Sequence, residues 1–540
     1  MRLIRMTALP DHLLTIPGVL ARAASLYATR DALVDERDRL TYAGLAADVE
    51  MTGRAVVASG VQPGDRVAIW APNTTEWVIA ALAIYSAGAV LVPLNTRFKG
   101  AEASYILDRA DVKLLFTVTD FLATDYVELL RTGDPVASLK EIVVLRGEPA
   151  PGTIGWGEFV KRAHRVIPEE LAARRDVLTG DDLSDILFTS GTTGRPKGAM
   201  LTHGASVRAY EAWSDVVGLR EGDRYLVVNP FFHAFGLKAG ILASILKGAA
   251  IIPHAVFDVD AVMARAAEEQ VSMLPGPPTI YQSILDHPRL GDFDMSSLRL
   301  AVTGAAAVPV ELIRRMRTEL GFETIVTGYG LTEATGIATM CRHDDDPETI
   351  STTAGRAIPG TEVQVVDDSG TAVATGEPGE VVVRGYNVMK GFIHDPAATA
   401  EAIDADGWLH TGDVGILDAR GNLRITDRKK DMFIVGGFNA YPAEIEGMIT
   451  EHAGVSQVAI VGVPDTRMGE VGYAYVVPRH AARLDTDELL AWCRPRMANY
   501  KVPRFFEIVD ALPLNASGKV LKFELRERAM SAMPVRDGAA

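Results

Sequence analysis

Cysteine is scarce: 540 residues hold two, Cys341 and Cys493. That excludes a disulfide scaffold and a cysteine-rich metal site, and fits reduced thiols. An excess of positive charge is missing too. With 70 acidic and 54 basic residues the formal charge is −16. No long basic run interrupts it, so a nucleic acid polymer or an anionic membrane is an unfavourable partner, and small anions must be met at local cationic points. The start, MRLIRMTALPDHLLTIPGVLA, never builds a continuous apolar core, because Pro10, Asp11, His12 and Pro17 break it. No integral membrane segment and a cytoplasmic location are expected. The longest uncharged run, 77–94, reaches only the lower length limit of a spanning helix, and Gly88 and Pro93 interrupt it. A buried helix followed by a buried parallel strand explains that run better. Repeats and low-complexity segments are also lacking.

What is present is a globular chain, 48% apolar, long enough for more than one domain. From about 20 to 330, strand-like and helix-like stretches alternate. Strands are expected at 66–70, 89–92, 113–117, 225–228, 249–252, 271–274 and 298–302, with helices at 77–86 and 102–110 and another starting at Pro309. Such alternation predicts α/β architecture, with two helix-covered, mostly parallel sheets. Beyond 355 the texture changes to short antiparallel stretches at 363–366, 380–384 and 422–426, joined by tight turns, which predicts a small β-barrel layer. The charged run DRKKD at 427–431 precedes a third pattern, a smaller α+β domain. The expected domains are 1–427 and 432–540, with 428–431 as a hinge.

The string LFTSGTTGRPKG at 187–198 carries the chemistry most openly. Gly191, Gly194 and Gly198 allow tight turning and expose amide N–H groups. Thr189, Ser190, Thr192 and Thr193 add hydroxyls, and Arg195 and Lys197 add charge, so a polyphosphate could be held on several sides. A Walker A loop needs Gly-Lys-Ser/Thr, whereas here Pro196 precedes Lys197 and Gly198 follows it. TGYGLTE at 327–333 follows an expected strand. There Gly328 and Gly330 allow close approach, Tyr329 offers an aromatic face to a purine, Thr332 a hydroxyl, and Glu333 a hard oxygen ligand for Mg2+. Taken singly, Asp413 and His410 in DGWLHTGD at 406–413 are turn-formers, His233 in NPFFHAFG at 229–236 is a core histidine, and Lys519 in LPLNASGKV at 512–520 is an exposed lysine.

Taken together and in this order, these strings resemble the adenylate-forming superfamily, in its acyl-CoA synthetase and fatty-acid–CoA ligase branch, over essentially the whole chain. The resemblance implies an ATP-dependent ligase for a carboxylic acid and coenzyme A, with ATP, Mg2+ and coenzyme A as cofactor and co-substrates. Under it Thr189, Ser190, Gly191, Thr192, Thr193, Gly194 and Lys197 hold the phosphates. Gly304, Ala305 and Ala306, in TGAA at 303–306, lie against adenine beside Gly328, Tyr329 and Gly330. Asp413 takes the ribose hydroxyls, Arg428 reaches ribose or phosphate, and Thr189 and Glu333 hold the metal. The expected catalytic group is Lys519, Thr332, Glu333 and His233. Lys519 bridges the attacking carboxylate and the α-phosphate, and His233 positions the acid. Lys430 is the implied pivot of a mobile C-terminal domain, and Gly437 lies in the loop lining the pantetheine tunnel. A homodimer is compatible with the resemblance, although nothing in the sequence sets the oligomeric state.

A carboxylate repels nucleophiles, so activation as an acyl-adenylate before thiol attack is the chemistry these groups imply. No carrier-protein serine motif lies in the chain, which favours free coenzyme A. The stretches 234–242 and 277–283, implied as the acid pocket, hold one cation, Lys238, expected to face solvent, so an apolar fatty, alicyclic or aryl acid is expected. NTRFKG at 95–100 and FIVGGFNAYPAEIE at 433–446 are similar to ligases of bacterial fatty-acid and steroid-ring degradation. Two alternatives stay open: an adenylating enzyme that loads a carrier protein, and a non-catalytic nucleotide sensor. A phosphotransferase is disfavoured by Pro196.

Overall fold

The computed structural model describes residues 10, 14–189, 196–304, 308–428, 431–435, 438–465, 468–479, 483–497, 499–514 and 519–532. The chain divides into two compact units, 1–363 with 383–410, and 364–382 with 411–540. The second unit therefore begins before the expected hinge at 428–431. Inside it, helix Pro442–Thr450 packs on strand Leu423–Arg428, which draws that strand into the C-terminal body.

The first unit is built on parallel strands covered by helices. Its larger sheet runs Gly391–Phe392, Lys197–Thr202, Leu183–Thr189, Val90–Pro93, Arg66–Trp70, Val112–Val118, Glu141–Arg146, Ile154–Gly155. The strands from Leu183–Thr189 onward pair in parallel, and Lys197–Thr202 turns back antiparallel. The uncharged run reads as expected. Thr74 caps helix Thr75–Ser86 by accepting from the Trp77 amide at 3.2 Å, and every helix residue except Glu76 is buried. Such a helix is apolar all round because it lies inside the protein. No helix among the described residues is long and apolar enough to cross a membrane.

The second sheet of this unit joins Arg39–Thr41, Asp31–Val34, Ala250–Pro253 and Arg224–Val227. The strand expected at 271–274 shrinks to one residue: Met273 bridges Tyr225 on one side and Leu300 on the other. The run PGPP at 275–278 follows at once, and prolines cannot donate to a ladder. Leu300–Thr303 then pairs in parallel with Thr324–Tyr329. The helix expected from Pro309 spans Val310–Glu319, with Pro309 just before it.

The small β layer is a four-stranded sheet, Thr361–Val366, Gly379–Gly385, Leu409–Leu417, Leu423–Arg428. After it comes a five-stranded sheet centred on Gly469–Pro478, which pairs antiparallel with Val455–Asp465 and parallel with Phe505–Ile508. Ile445, Ile449, Leu489 and Leu525, from three helices, are buried in the second unit's core.

Candidate active site

Thr189 ends the strand Leu183–Thr189 and pairs with Lys197 on the returning strand. Ser190, Gly191, Thr192, Thr193, Gly194 and Arg195, the body of the expected phosphate loop, lie outside the described residues. Gly198, expected to help the loop turn, instead lies within the strand Lys197–Thr202. A Cβ there would meet Ile186 and Ile393 methyls at 2.8 Å and the Phe188 ring at 2.9 Å, so its missing side chain lets strands pack. The Lys197 ammonium stands 5.4 Å from the Phe392 ring centroid, a cation–π contact.

The Thr189 hydroxyl donates to a Glu333 carboxylate oxygen at 3.1 Å, joining two motifs 144 residues apart in sequence. Glu333 sits in the one-turn helix Thr332–Ala334, which follows strand Thr324–Tyr329. That turn is pinned from both sides. The Glu333 carbonyl accepts from the Met389 amide at 2.8 Å, and Thr335, at φ 57°, donates to the Asn387 carbonyl at 2.7 Å. Gly304 and Gly328 lie on neighbouring strands, since Thr303 pairs with Thr327 in parallel register. Tyr329 and Thr332 are half-buried and Gly330 is exposed, so this end of the sheet is open to solvent. Ala305 and Ala306 lie outside the described residues.

A hydroxyl and a carboxylate oxygen side by side suit a hard cation that keeps most of its shell as water and phosphate oxygen. Among the described residues no group of three or more His, Cys, Asp or Glu is placed to hold a metal ion.

His233 is exposed on the loop before helix Phe235–Leu242, and the Phe235 amide donates to its Nδ1 at 3.2 Å. Sequence reasoning overlooked the residue that fixes this loop. Asn73 donates through Nδ2 to the carbonyls of Val227, Asn229 and His254 at 3.1, 3.0 and 3.2 Å, and its Oδ1 accepts from the Phe231 amide at 2.8 Å. Its only signal in the sequence is a polar residue just before the cap of a helix.

Lys238 is the clearest correction. It does not face solvent: its side chain is 1% exposed and pairs with Asp185, which is 0% exposed. Lys238 also donates to the Ser206 hydroxyl at 2.7 Å, while Asp185 accepts from the Tyr85 and Ser184 hydroxyls. Burial pulls the Lys238 ammonium below its ordinary pKa, against the attraction of Asp185. The pair ties the Phe235–Leu242 helix, which lacks the ordinary α-helical bonding pattern, to the strand that ends at Thr189. Irregular helical turns of this kind recur at functional sites. Nearby, burial drives the His203 imidazole down to about 4; its Nδ1 accepts from the Ile16 amide and its Nε2 is buried without a partner.

The remaining expected residues belong to the second unit. Asp413 is buried on Leu409–Leu417, where it pairs across the strands with Arg428. The Asp413 amide donates to the Thr411 hydroxyl at 3.1 Å, and that hydroxyl donates to the Val381 carbonyl at 2.7 Å. Lys519 is exposed, between Leu514 and Val520, which form a short bridge. Lys430 and Gly437 lie outside the described residues.

Sequence and structure comparisons identify the family. The model for "AMP-binding enzyme" matches residues 20–393, and that for "AMP-binding enzyme C-terminal domain" matches 444–519. A 3-[(3aS,4S,7aS)-7a-methyl-1,5-dioxo-octahydro-1H-inden-4-yl]propanoyl:CoA ligase of Rhodococcus jostii strain RHA1 is 50% identical over 95% of this chain and 98% of its own. A feruloyl-CoA synthase of an Amycolatopsis species is 40% identical over 91% of this chain and 94% of its own. Among solved structures, the anthranilate CoA ligase AuaEII in complex with anthranoyl-AMP matches with a TM-score of 0.85 at 27% identity, over 96% of this chain and 98% of that one.

Proposed function

The chain belongs to the AMP-binding enzyme family, and on that footing we propose a substrate class and a division of labour for its residues. It is an AMP-forming acyl-CoA synthetase: it joins a carboxylic acid to coenzyme A at the expense of ATP, through an acyl-adenylate. The carboxylate oxygen attacks the α-phosphorus and pyrophosphate leaves. The thiol sulfur then attacks the activated carbonyl, and AMP leaves with the electrons of the C–O bond.

The proposed acid is an alicyclic propanoate bearing an oxo group, the kind of acid for which the ligases of Rhodococcus jostii and Mycobacterium tuberculosis, 50% and 49% identical, are named. The observation that carries the site reading is the Thr189–Glu333 contact, because it joins the expected phosphate and nucleotide motifs. Thr189 and Glu333 would hold Mg2+, which when bound offsets phosphate charge. Thr332 and Tyr329 flank the nucleotide, with Gly304, Gly328 and Gly330 leaving room for it, and Asp413 accepts from the ribose hydroxyls. His233, held by the Asn73 clamp, orients the acid.

Lys519 stabilises charge as two anions meet in the first step. Rotation at Lys430, within 428–431, then exchanges it for the Gly437 loop before the thiol enters. A cytoplasmic location and a homodimer complete the reading. The test is product release from MgATP with a panel of alicyclic, aryl and fatty acids, with and without coenzyme A. Coenzyme A-dependent AMP and acyl-CoA with the oxo-alicyclic acids supports it. The same products from fatty or aryl acids alone would refute the substrate class.

A further inference from the structure

Two phenols beside the expected acid pocket have hydroxyls with no hydrogen-bond partner among the described residues, and that of Tyr225 is fully buried. Tyr210 lies on helix His203–Val217; its ring is 6.1 Å from that of Trp213, which meets Phe235 edge-on at 6.1 Å. The Tyr210 hydroxyl donates to no described group. A Cβ built on Gly336 would stand 2.6 Å from this hydroxyl and 3.0 Å from the Ala234 Cβ. The phenol therefore reaches the gap between the turn that carries Glu333 and the loop that carries His233, a gap kept open because residue 336 is glycine.

Tyr225 approaches from the sheet. On its strand the side chain of Val227 faces the Phe235–Leu242 helix, since a Cβ on Gly240 would meet a Val227 methyl at 2.7 Å. Side chains two apart on a strand share a face, so Tyr225 lies beneath the same helix. Its hydroxyl is fully buried and has no hydrogen-bond partner among the described residues. The Tyr281 and Tyr210 phenols add to the burial that raises its pKa, as neighbouring groups do. Thr303, at the end of the strand before Gly304, carries a third unpartnered buried hydroxyl.

Buried hydroxyls are nearly always satisfied, and orphans call for a missing partner. A pure hydrocarbon in this pocket would leave both phenols unpaired. An acid with an acceptor oxygen on its ring would satisfy them, and a site built to donate hydrogen bonds discriminates strongly against analogues lacking the acceptor.

We propose that Tyr210 and Tyr225 are specificity-determining residues whose hydroxyls donate to a carbonyl oxygen on the ring of the acid, selecting oxo-alicyclic acids over hydrocarbon acids of the same size. This rests on the acyl-CoA ligase reading above. It assigns the two residues no part in the chemical steps.

The test measures kcat/KM for matched acid pairs, cyclohexyl- and octahydroindenyl-propanoic acids with and without a ring ketone, in wild type, Y210F, Y225F and Y210F/Y225F. Each change removes one oxygen that bonds to nothing among the described residues, and thermal unfolding checks that the fold is kept. The expected result is a loss of tenfold or more in kcat/KM for the ketone members in the double variant. The hydrocarbon members and the KM for ATP should be unchanged. An oxo-to-hydrocarbon preference identical in wild type and the double variant would overturn the proposal. Absence of coenzyme A-dependent AMP from the wild type with every member of the panel would instead overturn the ligase reading on which it stands.

Discussion

Replacing Lys238 with methionine removes a charge while keeping most of the side-chain volume. The partner left behind, Asp185, is 0% exposed. Among the described residues it retains the hydroxyls of Tyr85 and Ser184, the latter at 2.6 Å. Breaking one side of a buried pair costs about 3–5 kcal/mol, because an uncompensated charge stays in low dielectric. Replacing both sides with neutral groups of similar volume is close to neutral by the same reasoning, so D185N/K238M should recover more than half of the loss. The measurement is denaturant unfolding followed by tryptophan fluorescence, since Trp77 and Trp213 are both buried in the same unit. Two units require the transitions to be fitted separately. The pair also ties the helix after His233 to the strand that ends at Thr189, so K238M should raise the KM for acid and for ATP together. A K238M variant within about 1 kcal/mol of wild type, or a double variant no more stable than the single one, would refute the reasoning from burial.

His203 is held near 4 by burial, against an ordinary 6.5, so the folded state binds fewer protons than the unfolded chain between those values. Its stability contribution is complete above pH 6.5 and is lost as the pH falls toward 4. The full difference is about 3 kcal/mol, and a flatter stability profile in H203F over this window checks it. Lys519→Ala should slow acyl-adenylate formation by roughly 100-fold while leaving thioester formation from synthetic acyl-adenylate near wild type; equal slowing of both half-reactions counts against its role. Asn73→Ala frees the loop bearing His233 from the two hydrogen bonds to the Asn229 carbonyl and the Phe231 amide, and should raise the KM for acid by about 10-fold with little change in the KM for ATP. Asn73→Asp should not rescue it, because a carboxylate cannot donate to three carbonyls.

What could be read without coordinates was whatever is written locally. The helix at 75–86 and the strand at 90–93 announce themselves by an uncharged run with a glycine between them, and the nucleotide motifs by short strings in a set order. The chain's fold class followed from that alternation. Errors arose where one local signal overrode another, as when the prolines after Leu274 reduced an apolar strand to the single bridging residue Met273. Misreadings of the site had a different cause. Lys238 looks like a solvent-facing lysine because its partner, Asp185, lies on a distant strand, and nothing near either residue predicts the other. The same holds for the Asn73 clamp and for the Tyr210 and Tyr225 hydroxyls. Whether a buried polar atom is satisfied depends on groups far apart in sequence, so neither periodicity nor a motif reports it. The two halves of the site therefore differ in kind. On the proposed reading, phosphate and ribose are met by compact runs of glycine, hydroxyl and carboxylate, whereas the acid is met by single residues spread over a helix, a strand and an irregular turn. Reaction type is accordingly readable from strings in this chain, and the chemistry of the acid only from what the folded core leaves unpaired.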